Sequence, residues 1–579
     1  MADSKELEMQ RLKRAVDSSL ETLRPFRETR RALLKEYAGH KYGKNAALKP
    51  VYLNLLKMTA SAYLMALSAN NPRASISTEN DTIKPFAFRF QQSLNRLIKR
   101  INLKVSIDRS ILDAYFGIGI VKVCLADGFE VEIENQRYDV GFPSAKPVSL
   151  EDWVHDAGAQ EWSEIQFCGH RYRAPLELVR KDRRFNKDAT KDLQPTSKYP
   201  RGAHDSAQMM ADDCDRDEIE EMVDLWEIWI PRTNRIVTVA AESDGQGVTT
   251  KKLADQEWKG PENGPYHFLT FDDVPDNTMP VPPAYDLYEL HMLANRLLRK
   301  QSRQAGRQKD IYFYKGSAED TAARMLTTPD GQGCKTEDPD GIKFVKQGGV
   351  DPGNFNFTQS VRDLANEVAG NLQALLGLGP MSGTAGQDRM INENVGQKIA
   401  KMQARVTSFT TDICRDLGWL MWDHEGLVIP GREDLGGGMS HDTSWSPGNR
   451  RGMFIDHQIS VEPYSQAYQS PGDKAKSVMS YVQGVILPAM PMLMQQGGSI
   501  NWQKLNRMMA EYENLPELED IIDWAEPLND RDQGGATGPS HQMMKPANTN
   551  RTVTRVNGGG AKQPLQMPMA MPAATGVPA

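Results

Sequence analysis

The sequence predicts an α+β protein with more than one packing unit, on three observations. At 579 residues the chain exceeds the size of one compact core. Stretches with apolar residues at helical spacing alternate with short β-branched runs. Hydrophobic residues make up 39% and charged residues 25%, values of an ordinary globular chain, which argues against wholesale disorder or a fibrous protein.

Residues 5–38 are rich in Glu, Lys, Arg, Leu and Ala and read as an outward-packed helix broken near Pro25. An apolar run from Leu53 to Leu67 precedes the turn Asn70-Asn71-Pro72. Ala74 to Thr78 then reads as a strand, Phe86 to Lys99 as a helix and Val105 to Phe116 as another. GIGIVKVCL (Gly117 to Leu125) and Phe129 to Ile133 read as strands, and WVHDAGAQEW (Trp153 to Trp162) as a loop. Phe167 to Tyr172 reads as a strand, and Pro175 opens a short helix that runs to Asp182. The polar residues 187–216 read as an exposed excursion. Val223 to Ile230 and Ile236 to Ala241 then form a hairpin turning at Pro231 and Asn234.

After the proline-punctuated FDDVPDNTMPVPP (Phe271 to Pro283), residues 284–308 contain no proline, and about 25 residues give a helical rod roughly 37 Å long. Leu290, Leu293 and Leu297 form one stripe. The second half carries Arg296, Arg299, Lys300, Arg303 and Arg307, which we read as not all sharing one face. DIYFYKG reads as a strand, SAEDTAARMLTT as a short helix, PDGQG as a turn and GIKFVK as a second strand, together a small α/β insert over 309–358. Helical spacing returns at Val361, Leu364, Val368, Leu372 and Leu375. A glycine-rich loop, Gly377 to Met390, separates this helix from a long one carrying Val395, Ile399, Met402, Val406, Phe409, Ile413, Leu417 and Leu420. Strand pieces such as Gln458 to Glu462 follow, then helical stretches near Ala475 to Ile486 and Trp502 to Tyr512. From Asn529 the composition predicts disorder.

Enzymatic motifs fail on spacing. GQGCKT (Gly331 to Thr336) places Cys334 where a phosphate loop needs glycine before lysine, and GPMSG (Gly379 to Gly383) lacks the spacing of a nucleophile elbow. His155 with Asp156, and His441 with Asp442, stand outside any paired metal-ligand spacing. Asp272 and Asp273 leave open a metal-dependent nuclease built from scattered carboxylates. The five cysteines (Cys124, Cys168, Cys214, Cys334, Cys414) are scattered, with neither disulfide nor zinc spacing, and no cofactor is expected. No window approaches 18 uninterrupted apolar residues and the start is charged from its third residue, so neither a membrane span nor a secretory signal is read. The net charge of −7 argues against a tight nucleic-acid binder but suits an acidic wall along which DNA slides. Cations near a helix C-terminus are favoured by the dipole anyway, so the basic run does not by itself establish DNA contact.

The order of these elements (mixed N-terminal domain, helix, small α/β insert, helix, glycine-rich loop, long helix, strand-and-helix remainder) resembles the portal, or head-to-tail connector, proteins of tailed bacteriophages over about residues 50–470. DWVHDAGAQEWSEIQFCGHRYRAPLELVRKD (Asp152 to Asp182) also resembles that family's acidic loop followed by strand and helix. The resemblance implies a wing over 1–282, a first stem helix over 283–308, a clip over 309–358, a second stem helix over 359–376 and a tunnel loop over 377–391. It further implies a C-terminal wing over 392–470, a crown-like helical region over 471–528 and a disordered tail over 529–579.

It implies, too, a non-enzymatic ring, commonly of twelve copies, at one capsid vertex of the virion, assembled in the host cytoplasm. Double-stranded DNA would pass through the ring during packaging, retention and ejection. The terminase large subunit, a head-to-tail adaptor, capsid protein and scaffolding protein would be its partners. Arg296, Arg299, Lys300, Arg303 and Arg307 would meet phosphates or neighbouring subunits. Gly377, Gly379, Pro380, Met381, Ser382, Gly383, Thr384, Gly386 and Gln387 would line the constriction. A phage nuclease or other DNA-processing enzyme, and a different virion structural protein, are the alternatives.

Overall fold

In the computed structural model, the described residues are 2–39, 51–68, 70–126, 130–133, 136–139, 141–196, 220–242, 247–329, 331–337, 339–370, 385–434, 440–442, 444–462, 478–490 and 509. Met1–Asp523 forms one compact unit, and Trp524–Ala579, a second unit, lies outside the described residues.

The chain opens with helices α1 (Ala2–Thr22) and α2 (Arg24–Ala38). Pro25 sits in the first turn of α2, where its missing N–H removes no helical bond, so the expected break falls just before it. These helices do not pack merely on the outside. Val16, Leu23 and Leu33 are buried, and so are the α2 arginines Arg27 and Arg30. Arg30 bonds Asp113 at 2.8 Å, Arg31 holds Glu151 through two bonds of 3.2 and 2.8 Å, and Arg109 takes the other oxygen of Asp113 at 2.8 Å. Arg27 donates to the carbonyls of Leu150 and Trp153, and burial lowers its guanidinium to about 10. Buried charges require such partners, which here tie α2 to the chain 80 to 120 residues further on.

The largest core joins α3 (Leu55–Leu67), α4 (Lys84–Arg100), α5 (Leu103–Tyr115) and the 39-residue α11 (Ala385–Asp423). Phe90, Leu94, Ile107, Val406, Phe409, Ile413 and Leu417 are all buried in it, each side chain contributing about 1.5–3 kcal/mol on leaving water. Strand β1 (Ala74–Ser77) pairs antiparallel with β16 (Gln458–Val461), so the C-terminal part of the chain closes on the N-terminal part. A three-stranded sheet flanks this core, in the order β11 (Tyr266–Leu269), β2 (Gly119–Ala126), β5 (Phe142–Val148). Gly119 is required where β2 crosses α5, because a Cβ there would lie 2.3 Å from the Ser110 carbonyl oxygen.

A five-stranded antiparallel meander runs β10 (Val248–Glu257), β9 (Arg235–Ala241), β8 (Met222–Ile230), β7 (Cys168–Pro175), β6 (Trp153–His155). Trp226 and Ile228 of β8 pack with Met9 and Val16 of α1. Leu225 packs with Leu176 and Val179 of α6 (Leu176–Lys181), beside α7 (Lys187–Lys191). Covered on both faces, β8 therefore reads as a nearly continuous apolar run. The hairpin turn at Asn234 has φ +49°, a conformation that asparagine tolerates.

Trp153 to His155 is a buried edge strand, not part of a loop, because Trp153 packs into one apolar cluster and Val154 into another. Lys187–Lys191 is helical within the expected excursion, and residues 197–219 lie outside the described set. Residues 478–490 are helical with a π-helical turn at Val482–Ile486, while 491–508 and 510–579 are not described. No described helix is long and apolar enough to cross a membrane.

Candidate functional site

The candidate site is an arm of two antiparallel helices carrying a small module. Helix α8 (Pro283–Gly306) starts with proline in its first turn and runs 24 residues, about 36 Å, without another. Helix α10 (Pro352–Val368) returns alongside, capped by Asp351, whose carboxylate accepts from the Gly353 amide. Ala294 and Leu297 meet Val361 and Ala365 along the seam, with Leu55 at its root. Further out, Gln301 donates to Asn354 O at 3.0 Å and Thr358 Oγ1 at 2.7 Å.

Two buried side chains fix α8 to the body. Asn295 accepts from the Leu53 amide at 2.8 Å and donates to the Leu53 carbonyl at 2.9 Å, as a paired strand would. One turn earlier, His291 lies 3.4 Å from both the Glu36 carboxylate and the Tyr52 hydroxyl. Tyr52 donates to the Glu36 carbonyl, and burial, reinforced by the Glu36 charge and opposed by Arg299, pushes its hydroxyl up to about 12. A mainly apolar cleft of about 440 Å³ runs between α3, α8 and α10, past Met58, Leu298 and Phe355.

The module between the helices is the antiparallel pair β12 (Lys309–Tyr314) and β13 (Ile342–Gln347) with helix α9 (Glu319–Thr327). Among its described residues, Ala318 and Ala322 are buried. Phe313, Tyr314, Met325, Leu326 and Val345 remain exposed on it, and Phe355 and Phe357 on the adjoining turn of α10.

Four of the five basic residues lie along one face of α8 and its C-cap Arg307, and Arg299 lies off that face. Arg296, Lys300, Arg303 and Arg307 follow i, i+4, i+7, i+11 spacing, within about 60° of arc at 100° per residue, so they form one stripe. All four are exposed. Lys300 reaches Asn354 Oδ1 at 3.2 Å and Arg303 Nε donates to the Arg299 carbonyl at 3.3 Å. None of the four pairs with an acidic side chain among the described residues. Arg299 is half-buried on the flank toward Tyr52. Tyr285 and Glu289 continue the stripe toward the body, so its character changes from aromatic and acidic to basic along the rod. Exposed cations in such a row are suited to sequence-independent phosphate contact.

Three boundaries differ from the sequence expectation. The second arm helix starts at Pro352 rather than 359, so the insert ends at Asp351 instead of 358, and the helix ends at Val368 rather than 376. The long helix starts at Ala385, which places Gly386 and Gln387 inside α11 and not in a loop. Gly377, Gly379, Pro380, Met381, Ser382, Gly383 and Thr384, with Leu372 and Leu375, lie outside the described residues.

The scattered acid and histidine candidates do not converge. Asp273 pairs with Arg405 at 2.7 Å and Asp272 lies 4.0 Å from Lys401. His155 is fully buried between Trp153, whose indole donates to its Nδ1 at 3.2 Å, and the Thr278 hydroxyl at 2.8 Å from Nε2. His441 and Asp442 sit in β15 (Ser440–Asp442), paired with β14 (Arg432–Asp434). Among the described residues, no group of three or more His, Cys, Asp or Glu side chains is placed to hold a metal ion.

Fold and site thus define an α+β protein whose two-helix arm, bearing one basic stripe, carries a small hairpin-and-helix module. The chain matches no known protein family and no curated protein.

Proposed function

We propose that the chain is the subunit of a DNA-conducting ring of the kind that tailed-phage portal proteins form at one capsid vertex. The observation that carries the proposal is the arm: two antiparallel helices, anchored at the root through His291 and Asn295, bracket a compact module at the far end. On this reading α8 and α10 are the stem, residues 309–351 the clip, and the long α11 the helix that follows the tunnel loop.

Two features of the surface support an assembly. The module leaves Phe313, Leu326 and Val345 in water, and the cleft beside α10 is mainly apolar, so neighbouring copies packed around a symmetry axis would bury both. The stripe from Arg296 to Arg307 would repeat with every subunit as a set of basic rings. In a chain of net charge −7, such rings are local brakes on a duplex that otherwise slides along an acidic wall. Terminase during packaging, and an adaptor afterwards, would dock on the clip, and ATP hydrolysis would belong to the motor.

Negative-stain images and mass measurement of the purified protein test this. Closed rings with a central hole are expected. A persistent monomer, or one that cleaves DNA with a divalent cation, would overturn the proposal. A triple Lys300→Glu, Arg303→Glu, Arg307→Glu variant should still assemble into rings but change DNA retention in filled heads. Unchanged retention would remove the braking role from the stripe.

A further inference from the structure

A second cavity, of about 580 Å³, lies between the three-stranded sheet and the five-stranded meander, and no residue of the arm lines it. Lys122 of β2 and Lys146 of β5 stand directly opposite each other at its edge, in register across the two strands. Like charges so placed repel, and Glu227 on β8 reaches Lys122 from the facing sheet. Lys122 takes that carboxylate at 2.6 Å. Burial pushes the Glu227 carboxyl up, but Lys122, with His170 and Arg184, outweighs burial and holds it below the usual carboxylate range. Lys146 is exposed and has no acidic partner among the described residues.

His170 of β7 supplies a further donor. Its Nδ1 lies 2.8 Å from the Tyr266 hydroxyl, the one partner of that hydroxyl among the described residues. Tyr266 is buried and this nitrogen is the described group its O–H can reach, so we assign the O–H as donor to Nδ1 and the proton of the neutral ring to Nε2. Nε2 has no partner among the described residues, and His170 lines the cavity. Arg184 also lines it while bonded to Asp182 at 2.7 Å. Asp152, at the rim, is held by Arg171 at 2.9 Å. Tyr172 and Phe185 form an aromatic wall beside these groups.

We infer that this cavity is a binding site for a phosphate monoester of mononucleotide size, its phosphate between Lys122, Lys146 and His170 Nε2 and its ring against Tyr172 and Phe185. The volume suits a ligand of that size and far exceeds inorganic phosphate. A bound phosphate would give Lys146 an anionic partner and accept the imidazole N–H, the two groups that have none among the described residues. The inference is independent of the ring reading, because no residue of the arm takes part.

Calorimetric titration of the full chain with adenosine monophosphate, adenosine and inorganic phosphate tests it. The monophosphate should bind saturably below about 1 mM and more tightly than either fragment. Lys146→Glu should weaken binding by at least about tenfold, the loss of one charge-assisted contact. Because the new carboxylate faces Lys122, the same change should leave the melting temperature unchanged or raised, which shows that the variant is folded. Tyr172→Ala should reduce affinity for the monophosphate but not for inorganic phosphate. Absence of saturable monophosphate binding at 10-fold higher concentration, about 10 mM, would overturn the site. So would undiminished binding by a folded Lys146→Glu variant. Monophosphate binding no tighter than that of inorganic phosphate would overturn the assignment of the ligand class.

Discussion

Replacing Asn295 by alanine should loosen the root of the arm at one identifiable place. The side chain is buried and makes two bonds to the Leu53 backbone, of 2.8 and 2.9 Å, and a third to the His291 carbonyl at 2.9 Å. His291 O is already engaged as a helix carbonyl, so the cost arises at Leu53, whose amide and carbonyl both lose their partner. An orphaned buried group costs about 1–3 kcal/mol, and half-buried Leu53 lies toward the lower end, giving about 2–4 kcal/mol for the two together. At about 1.4 kcal/mol per decade, amide exchange through local opening should accelerate roughly 30- to 700-fold around residues 51–55. Hydrogen–deuterium exchange resolved by peptide measures this directly. Unchanged protection in the alanine variant would refute the claim that this side chain holds α8 to the body.

Gly119→Ala drives a Cβ against the Ser110 carbonyl, which neither strand nor helix can yield, and should cost about 1–3 kcal/mol, read as a lower melting temperature. Burial lowers His155 to about 4 from an unfolded value near 6.5, so the unfolded chain takes up the proton first. The stability contributed by neutral His155 is complete above about pH 6.5 and is lost as the pH falls toward about 4. Melting temperatures across that window should decline more steeply for the parent than for His155→Gln. Burial raises Cys414 to about 12 and Cys168 well above the usual thiol value, so both should resist a thiol reagent in the folded protein and react on denaturation, whereas the half-buried Cys124 and Cys334 react without it.

Much of this fold was legible because period and punctuation agreed. Proline at 283 and the leucine stripe fixed α8 to within two residues, and the β-branched runs of the insert gave β12 and β13. Where punctuation misled, the errors have physical causes. Pro352 and Gly353 look like a loop, yet behind the cap Asp351 they are the first turn of α10. Gly386 sits inside α11, whose length offsets one poor helix former. Strand β5 contains Pro143 and Pro147 and is readable only once it is known to be a sheet edge, where a missing N–H is tolerated. The shared face of Arg296, Lys300, Arg303 and Arg307 was present in the spacing and needed only the turn angle applied across the full 11-residue span. The lysine pair of the second cavity could not be seen at all, since Lys122 and Lys146 meet only through strand register.

The pairing of β1 with β16 sets a clock on biosynthesis. Ser75 and Ser460 are partners across 385 residues, and the main core draws on both ends of that interval. At about 5–20 residues per second, a ribosome needs roughly 20–80 s to cover the distance, during which α4 and α5 wait with Phe90 and Leu94 uncovered by α11. Until α11 is made, the nascent chain exposes apolar surface of the kind that chaperones bind. Any event that requires this core, including self-association, cannot begin until β16 has left the exit tunnel.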